Sequence, residues 1–322
     1  MDRKVSIVVT CYNHEHYIEE CLRSIFSQSY QNIELLVFND GSTDRSGEII
    51  ERLLLESPFT QEQTHYFFEE NRGVSAVRND ALEKLSGEFL LFVDSDNFLN
   101  PNHVELLLNK LIEQEADIAY CQLWDFERQN NVLREDLDFE LGKMLEGNLI
   151  DASSLVRVSS IGEARFDLGL TNQKLEDYDF WMNMIINEKA KPYFVKETKL
   201  NYRVLNASRS DRSNWDNYYN IYFYILSKYL SKIPQKILEA AKANVLIFVK
   251  GYEDGVKLLQ EKERRIENQK TIIQEKDEEI KKILLEVDSL QENIKMIEKS
   301  ATFRVGKLVT LPARKIRGKL RK

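Results

Sequence analysis

Cysteine is scarce in this chain of 322 residues. Only Cys11, Cys21 and Cys121 occur, an odd number with no metal-type spacing. That argues against a disulfide framework and leaves buried free thiols in a reducing compartment as the expectation. No apolar run approaches the length needed to cross a bilayer. Met1-Asp2-Arg3-Lys4 leads directly into a strand-like run, so no signal peptide is visible. Excess positive charge is missing as well: 45 basic residues face 53 acidic ones, a net charge of -8, which argues against a general nucleic-acid binder. A cytosolic protein is expected. The charge is unevenly spread, because the segment from Ser300 to Lys322 has eight basic residues and no acidic one.

What is present is enough for a sizeable core, with 43% hydrophobic and 10% aromatic residues. Val5 to Thr10 is β-branched and apolar, a buried strand. Apolar positions at helical spacing follow from Tyr17 to Phe26. Ile33 to Phe38 is a second strand, and Ser42, Thr43 and Asp44 offer N-cap choices for a helix carrying Ile49, Ile50, Leu53 and Leu54. His65 to Phe68, Phe89 to Val93 and Ile118 to Leu123 are further strands, separated by a helix ending at Leu85 and one opened by Pro101. This alternation predicts βαβ units and a mostly parallel sheet, an α/β fold. Ligands of such sheets bind at the strand C-termini, where Thr10 to Asn13, Asp40, Asp94 and Asp96 are expected to line one crevice.

The centre of the pattern is Glu88 to Asn97, EFLLFVDSDN. Its apolar run stops abruptly at acid, and Asp94 and Asp96 stand two positions apart. In an extended segment both carboxylates point to one side and can converge on Mg2+ or Mn2+; Asp-Ser-Asp-Asn is also good turn chemistry. Residues 125–147 show few periodic apolar positions and read as an irregular excursion over the crevice. Glu176 to Asp179 leads into an apolar helix, and Tyr193 to Arg203 reads as a closing strand. Trp215 to Val249 is helical and aromatic, a cap beyond the sheet. Beyond it, Leu259, Ile266, Ile273, Ile280, Val287 and Ile294 recur every seven residues, a coiled-coil seam that makes a homo-oligomer the expectation. Thr302 to Lys322 places apolar residues before a basic cluster, a pattern suited to peripheral contact with an anionic membrane.

Five segments carry a family resemblance: VSIVVTCYN from Val5, NDGSTD from Asn39, NRGVSAVRN from Asn71, VDSDN from Val93 and LEDYDFW from Leu175. In order and spacing the first 210 or so residues resemble a family 2 glycosyltransferase with the GT-A fold, of the type that builds bacterial cell-surface polysaccharide. The resemblance implies inverting transfer of a sugar from a nucleoside-diphosphate sugar to a hydroxyl of a glycan or lipid-linked acceptor. It assigns Thr10 and Tyr12 to the nucleoside and Asp40 to the pyrimidine imide N–H, for which an acceptor-only carboxylate is suited. UDP- and dTDP-sugars both satisfy that contact. Arg78 matches a position near the donor pocket. Asp96 matches the direct ligand of a Mn2+ or Mg2+ cofactor, with Asp94 on ribose or metal, and Asn97 replaces a frequent third acid while keeping an amide oxygen. Asp177 matches the base and Glu176 its neighbour. Tyr202, Arg203 and Ser208 match a further motif whose histidine is here Leu205, which leaves Arg203 as the main diphosphate partner. His14 and His16 are expected to face solvent.

The expected organisation is a GT-A domain over residues 1–214, a helical cap and linker over 215–254, a coiled coil over 255–300 and a basic amphipathic tail over 301–322. A location at the inner face of the cell membrane goes with it. Two other readings are a sugar-phosphate nucleotidyltransferase, disfavoured because TCYNHEHY has no glycine to admit a triphosphate, and a non-catalytic coiled-coil protein on the same scaffold.

Overall fold

The computed structural model describes residues 3–171, 173–205, 215–300 and 305. Contacts divide the chain into two compact units, residues 1–245 and 246–322. In the first, strands and helices alternate as β1 (Val5–Cys11), α1 (Ile18–Phe26), β2 (Ile33–Asp40), α2 (Ser46–Leu54), β3 (Thr64–Glu69), α3 (Val74–Lys84), β4 (Phe89–Asp94), α4 (His103–Glu113) and β5 (Ile118–Asp125). Then come β6 (Asn130–Asn131), α5 (Leu141–Glu146), β7 (Leu155–Arg157), α6 (Glu176–Ile186), β8 (Pro192–Tyr202), α7 (Trp215–Tyr229) and the start of α8 (Gln235–Lys299).

The strands form one eight-stranded sheet in the order β3-β2-β1-β4-β7-β5-β6, with β8 also paired to β5. β1 pairs parallel with β2 and β4, β2 with β3, and β5 with β8. Central strands are apolar on both faces because helices cover both. Ile7, Val9, Leu35, Val37, Leu91 and Val93 pack with residues of α1, α2 and α4, whereas Val8, Leu36, Leu90 and Phe92 pack with α3, α5, α6 and α7. Successive side chains of a strand point to opposite faces, so the continuous apolar runs divide into these two cores. Fully burying each such side chain stabilises by about 1.5–3 kcal/mol.

Two local expectations need correction, and one strand was not foreseen. The segment 125–147 is anchored: it carries β6 and α5, and Leu137, Met144 and Leu145 are buried. Helix α2 starts at Ser46 with Arg45 at its N-cap and no side-chain cap bond. Asp44 does serve the helix start, its Oδ1 accepting from the Ser46 N–H at 2.9 Å, while Ser42 and Thr43 hold the loop after β1: Ser42 Oγ accepts from the Asn13 N–H, Asn13 Oδ1 from the Thr43 N–H, and Asp44 Oδ2 from the Glu15 N–H. Strand β7 has only three residues, too few for a periodic signal, yet it runs antiparallel between β4 and β5.

In the second unit α8 continues to Lys299, having crossed residue 254 without interruption. Ile266, Ile273, Ile280, Val287 and Ile294 on it are 40% to 59% exposed. Ser208 and, apart from Val305, the basic tail lie outside the described residues.

Candidate active site

The parallel register sets the polar groups on one sheet edge. Thr10 is level with Asp94, Cys11 with Asn39, and Asp40 with Glu69. Asp40, at the end of β2, is buried; its Oδ1 accepts from the Arg72 N–H at 2.8 Å and its Oδ2 from the Gly73 N–H at 2.9 Å. It therefore ties the loop before α3 to the edge, and each oxygen keeps a second lone pair. Gly41 beside it has φ +71, and a Cβ there would come within 2.7 Å of the Asn71 nitrogen, so the turn requires glycine. Tyr12 is 47% exposed, its ring free to stack on a planar group.

Arg78 is the hub of the site. Helix α3 buries Val74, Val77, Arg78 and Ala81 together, and the Arg78 side chain is only 1% exposed. Its Nη2 donates to Asp94 Oδ1 at 2.9 Å and its Nη1 to Glu176 Oε1 at 3.2 Å. The Phe92 and Phe166 rings lie 5.6 and 5.4 Å from the guanidinium carbon. Burial opposes the charge, but Asp94, Glu176 and Asp177 together hold the guanidinium above its ordinary value. Arg78, expected near donor phosphates, thus joins the acid that ends β4 to the pair that opens α6.

Leu175 brings that pair into position. It adopts the left-handed conformation, φ 68, immediately before α6. Such a backbone costs of order 1–3 kcal/mol for a bulky residue, and Leu175 packs against the core. Asp177 Oδ1 accepts from the Tyr178 N–H at 2.8 Å and Oδ2 from Asn148 Nδ2 at 2.9 Å. Burial first, then Glu176 and Asp151, hold the Asp177 carboxyl well above the usual carboxylate range.

Thr10 Oγ1 donates to Asp94 Oδ1 at 3.2 Å. Burial and then Asp94 push the Asp96 carboxyl up to about 7. No described side chain donates a hydrogen bond to the Asp96 carboxyl; Arg203 draws its value down by charge alone, donating instead to the Asp96 carbonyl, Glu20 and Glu127. Among the described residues no three His, Cys, Asp or Glu side chains cluster to hold a metal ion. Two carboxylates, one with no hydrogen-bonded cation, nevertheless fit a hard divalent ion that takes its remaining oxygens from water and phosphate.

Arg203, expected on the diphosphate, is held by other groups. Its Nη2 donates to Glu20 at 2.6 Å, Nη1 to Glu127 at 3.1 Å and Nε to the Asp96 carbonyl at 3.2 Å. Tyr17 and Phe126 flank it, each with its ring centre 4.7 Å away. Asn97 is buried, and its amide oxygen accepts the Arg203 N–H at 3.0 Å, so that oxygen locks β8 to the acidic turn. His14 is also a correction: its Nδ1 lies 2.7 Å from Ser95 Oγ, between the two acids in sequence, instead of facing solvent.

Sequence reasoning missed Asn148 and Asp151. A turn in which Asp151 Oδ1 accepts from the Ser153 N–H at 2.8 Å leads into β7, whose antiparallel pairing with β4 sets Asp151 near the acidic end of that strand. Burial and then Asp94 push its carboxyl up to about 6. Neither residue sits in a motif, and the only signal is the short strand that follows them.

Residues 6–163 match the family model for glycosyl transferase family 2. Over 229 residues the chain is 30% identical to an uncharacterized glycosyltransferase of Haemophilus influenzae, covering 68% of this chain and 87% of that protein. The chain belongs to glycosyltransferase family 2. This family 2 glycosyltransferase is also 32% identical over 232 residues to glycosyltransferase GlyA of Streptococcus pneumoniae; the match takes in 65% of the chain but spans only 32% of GlyA. Its fold resembles that of S. aureus TarS residues 1–349 in complex with UDP-GlcNAc, with a TM-score of 0.58 at 21% identity, covering 72% of this chain and 68% of TarS. The GT-A architecture of the glycosyltransferase follows from this likeness and from the sheet described above.

Proposed function

We propose that this glycosyltransferase moves a sugar from a UDP- or dTDP-sugar to a hydroxyl of a glycan or lipid-linked acceptor, with inversion, in cell-surface polysaccharide synthesis. The observation that carries this reading is the Arg78 bridge. One buried cation holds Asp94 and Glu176 within hydrogen-bond reach, so a donor-binding acid and an acceptor-activating pair share a crevice. The UDP-GlcNAc held by TarS supports a nucleoside-diphosphate donor.

Thr10 and Tyr12 bind the nucleoside, Tyr12 by stacking, and Asp40 accepts from the pyrimidine imide through a free lone pair. Asp96 is the metal ligand and Asp94 assists it. A bound Mn2+ or Mg2+ would neutralise charge growing on the leaving diphosphate. Asp177 is the base. As the acceptor oxygen bonds to the anomeric carbon and the bond to the diphosphate breaks, the acceptor proton passes to the Asp177 carboxylate. A raised carboxyl value suits that task, because a base titrating closer to the working pH drives proton removal further. Glu176 keeps Arg78 in place. Arg203 braces the acidic turn and meets the diphosphate once Glu20 or Glu127 releases it.

The domains act as residues 1–214 for chemistry, 215–254 as cap and linker, 255–300 as a coiled coil joining copies and 301–322 as a basic contact for anionic lipid at the inner membrane face. The test is donor-dependent release of nucleoside diphosphate by the purified full chain with Mn2+, across a panel of UDP- and dTDP-sugars and hydroxyl acceptors. Release from none of them, with or without metal, refutes the reading.

A further inference from the structure

We propose that Asn148 is a positioning residue for Asp177: its side-chain amide donates to the base and fixes the carboxylate for proton transfer. The inference rests on the reading of Asp177 as the base.

The contact is built rather than incidental. Asn148 Oδ1 accepts from the Ile150 N–H at 3.1 Å, which orients the amide so that Nδ2 meets Asp177 Oδ2 at 2.9 Å. Leu149 and Ile150, 3% and 0% exposed, anchor the segment in the core. The preceding helix α5 is tied down too. Tyr178, the neighbour of Asp177, donates to the Met144 carbonyl at 2.9 Å, and Tyr222 of α7 donates to the Leu145 carbonyl. Base and donor are thus held in one frame, while the Tyr178 N–H fixes the other carboxylate oxygen.

The charged groups around Asp177 explain why a neutral donor is needed. Glu176 on the same helix and Asp151 before β7 repel its negative charge, and Arg78 from α3 is shared with Asp94 and Glu176. The Asn148 amide supports the anion without adding a competing ion. Each carboxylate oxygen retains a lone pair for the acceptor hydroxyl.

Two variants separate positioning from mere scaffolding. Asn148→Ala removes both the donor and the Ile150 contact. Asn148→Asp keeps an oxygen for the Ile150 N–H but sets a second carboxylate against the base. A hydrogen bond to a charged group lost in Asn148→Ala is expected to move the ascending limb of the pH–rate profile alkaline by roughly one to two units. Turnover at neutral pH then falls about ten- to a hundredfold. Asn148→Asp is expected to be slower still, because like charges disfavour the ionised base. UDP binding with Mn2+ is expected to stay at the wild-type level in both. If Asn148 serves only the Ile150 turn, the Asn148→Ala profile keeps its wild-type limb; that result overturns the proposal. Carboxylate titration by 13C NMR reads the Asp177 value directly. An alkaline shift in Asn148→Ala supports the contact even where no donor is turned over, whereas an unchanged value overturns it. Absence of transfer by the wild-type chain bears on the function instead.

Discussion

Replacing Arg78 with methionine tests the central bridge. Methionine keeps an unbranched apolar stem against Phe92 and Phe166 but removes the charge and both hydrogen bonds. Glu176, with a 12% exposed side chain, is left with a carboxylate it cannot readily hydrate, whereas Asp94 at 30% can recover water and retains Thr10. Removing one partner from a buried ion pair costs about 3–5 kcal/mol, more than any packing gain from methionine offsets. For a domain of this size, about 1 kcal/mol lowers Tm by roughly 2–4 °C, so a fall of roughly 6–20 °C is expected. Urea unfolding of the wild type, Arg78→Met and Arg78→Met/Glu176→Gln is the assay. Neutralising Glu176 in the double variant is expected to recover part of the loss, since the orphaned charge is then gone. Arg78→Lys keeps the charge without the two-pronged geometry and is expected to fall in between. An unfolding free energy for Arg78→Met within about 1 kcal/mol of wild type refutes the view that this cation holds the site together.

Asp96→Ala and Asp177→Ala are both expected to abolish transfer, but by calorimetry only Asp96→Ala weakens metal-dependent UDP binding; equal losses would sink the division of roles. Because Asp177 titrates above the ordinary carboxylate range, the folded chain holds a proton that the unfolded chain has released, and stability drops as pH rises through that window. Asp177→Asn removes the penalty and is expected to raise Tm at neutral pH while activity is lost, which differential scanning at several pH values would reveal. Light scattering is expected to give an oligomer for the full chain and a monomer for a chain ending at Gly255, and a monomer in both cases disproves the coiled-coil pairing. Flotation with anionic liposomes is expected to carry the full chain but not one ending at Ser300; recovery of both in the soluble fraction rules out the lipid contact.

The strands were legible because their chemistry is local. Phe89 to Val93 is apolar until Asp94, and a short run of that kind, bounded by Ser86-Gly87 and acid, reads as a strand buried on both faces. The same logic put Thr10 and Asp40 on the ligand edge, and LEDYDFW put Glu176 and Asp177 at a helix start. The segment NRGVSAVRN marked Arg78 as a residue near the donor pocket, but its bridge was not legible, since its partners Asp94 and Glu176 lie 16 and 98 residues away. Asn148 is 29 residues from Asp177, and Asp151 reaches the acidic turn only because β7 inserts beside β4.

Periodicity, strand ends and short motifs therefore determined, within the sequence itself, a mostly parallel α/β sheet, the edge at its strand ends and the identities of the acids along it. The tertiary structure decided which groups neutralise those acids. Burial strips them of water, and only the folded chain brings Arg78, Asn148 and the Tyr178 N–H close enough to take water's place.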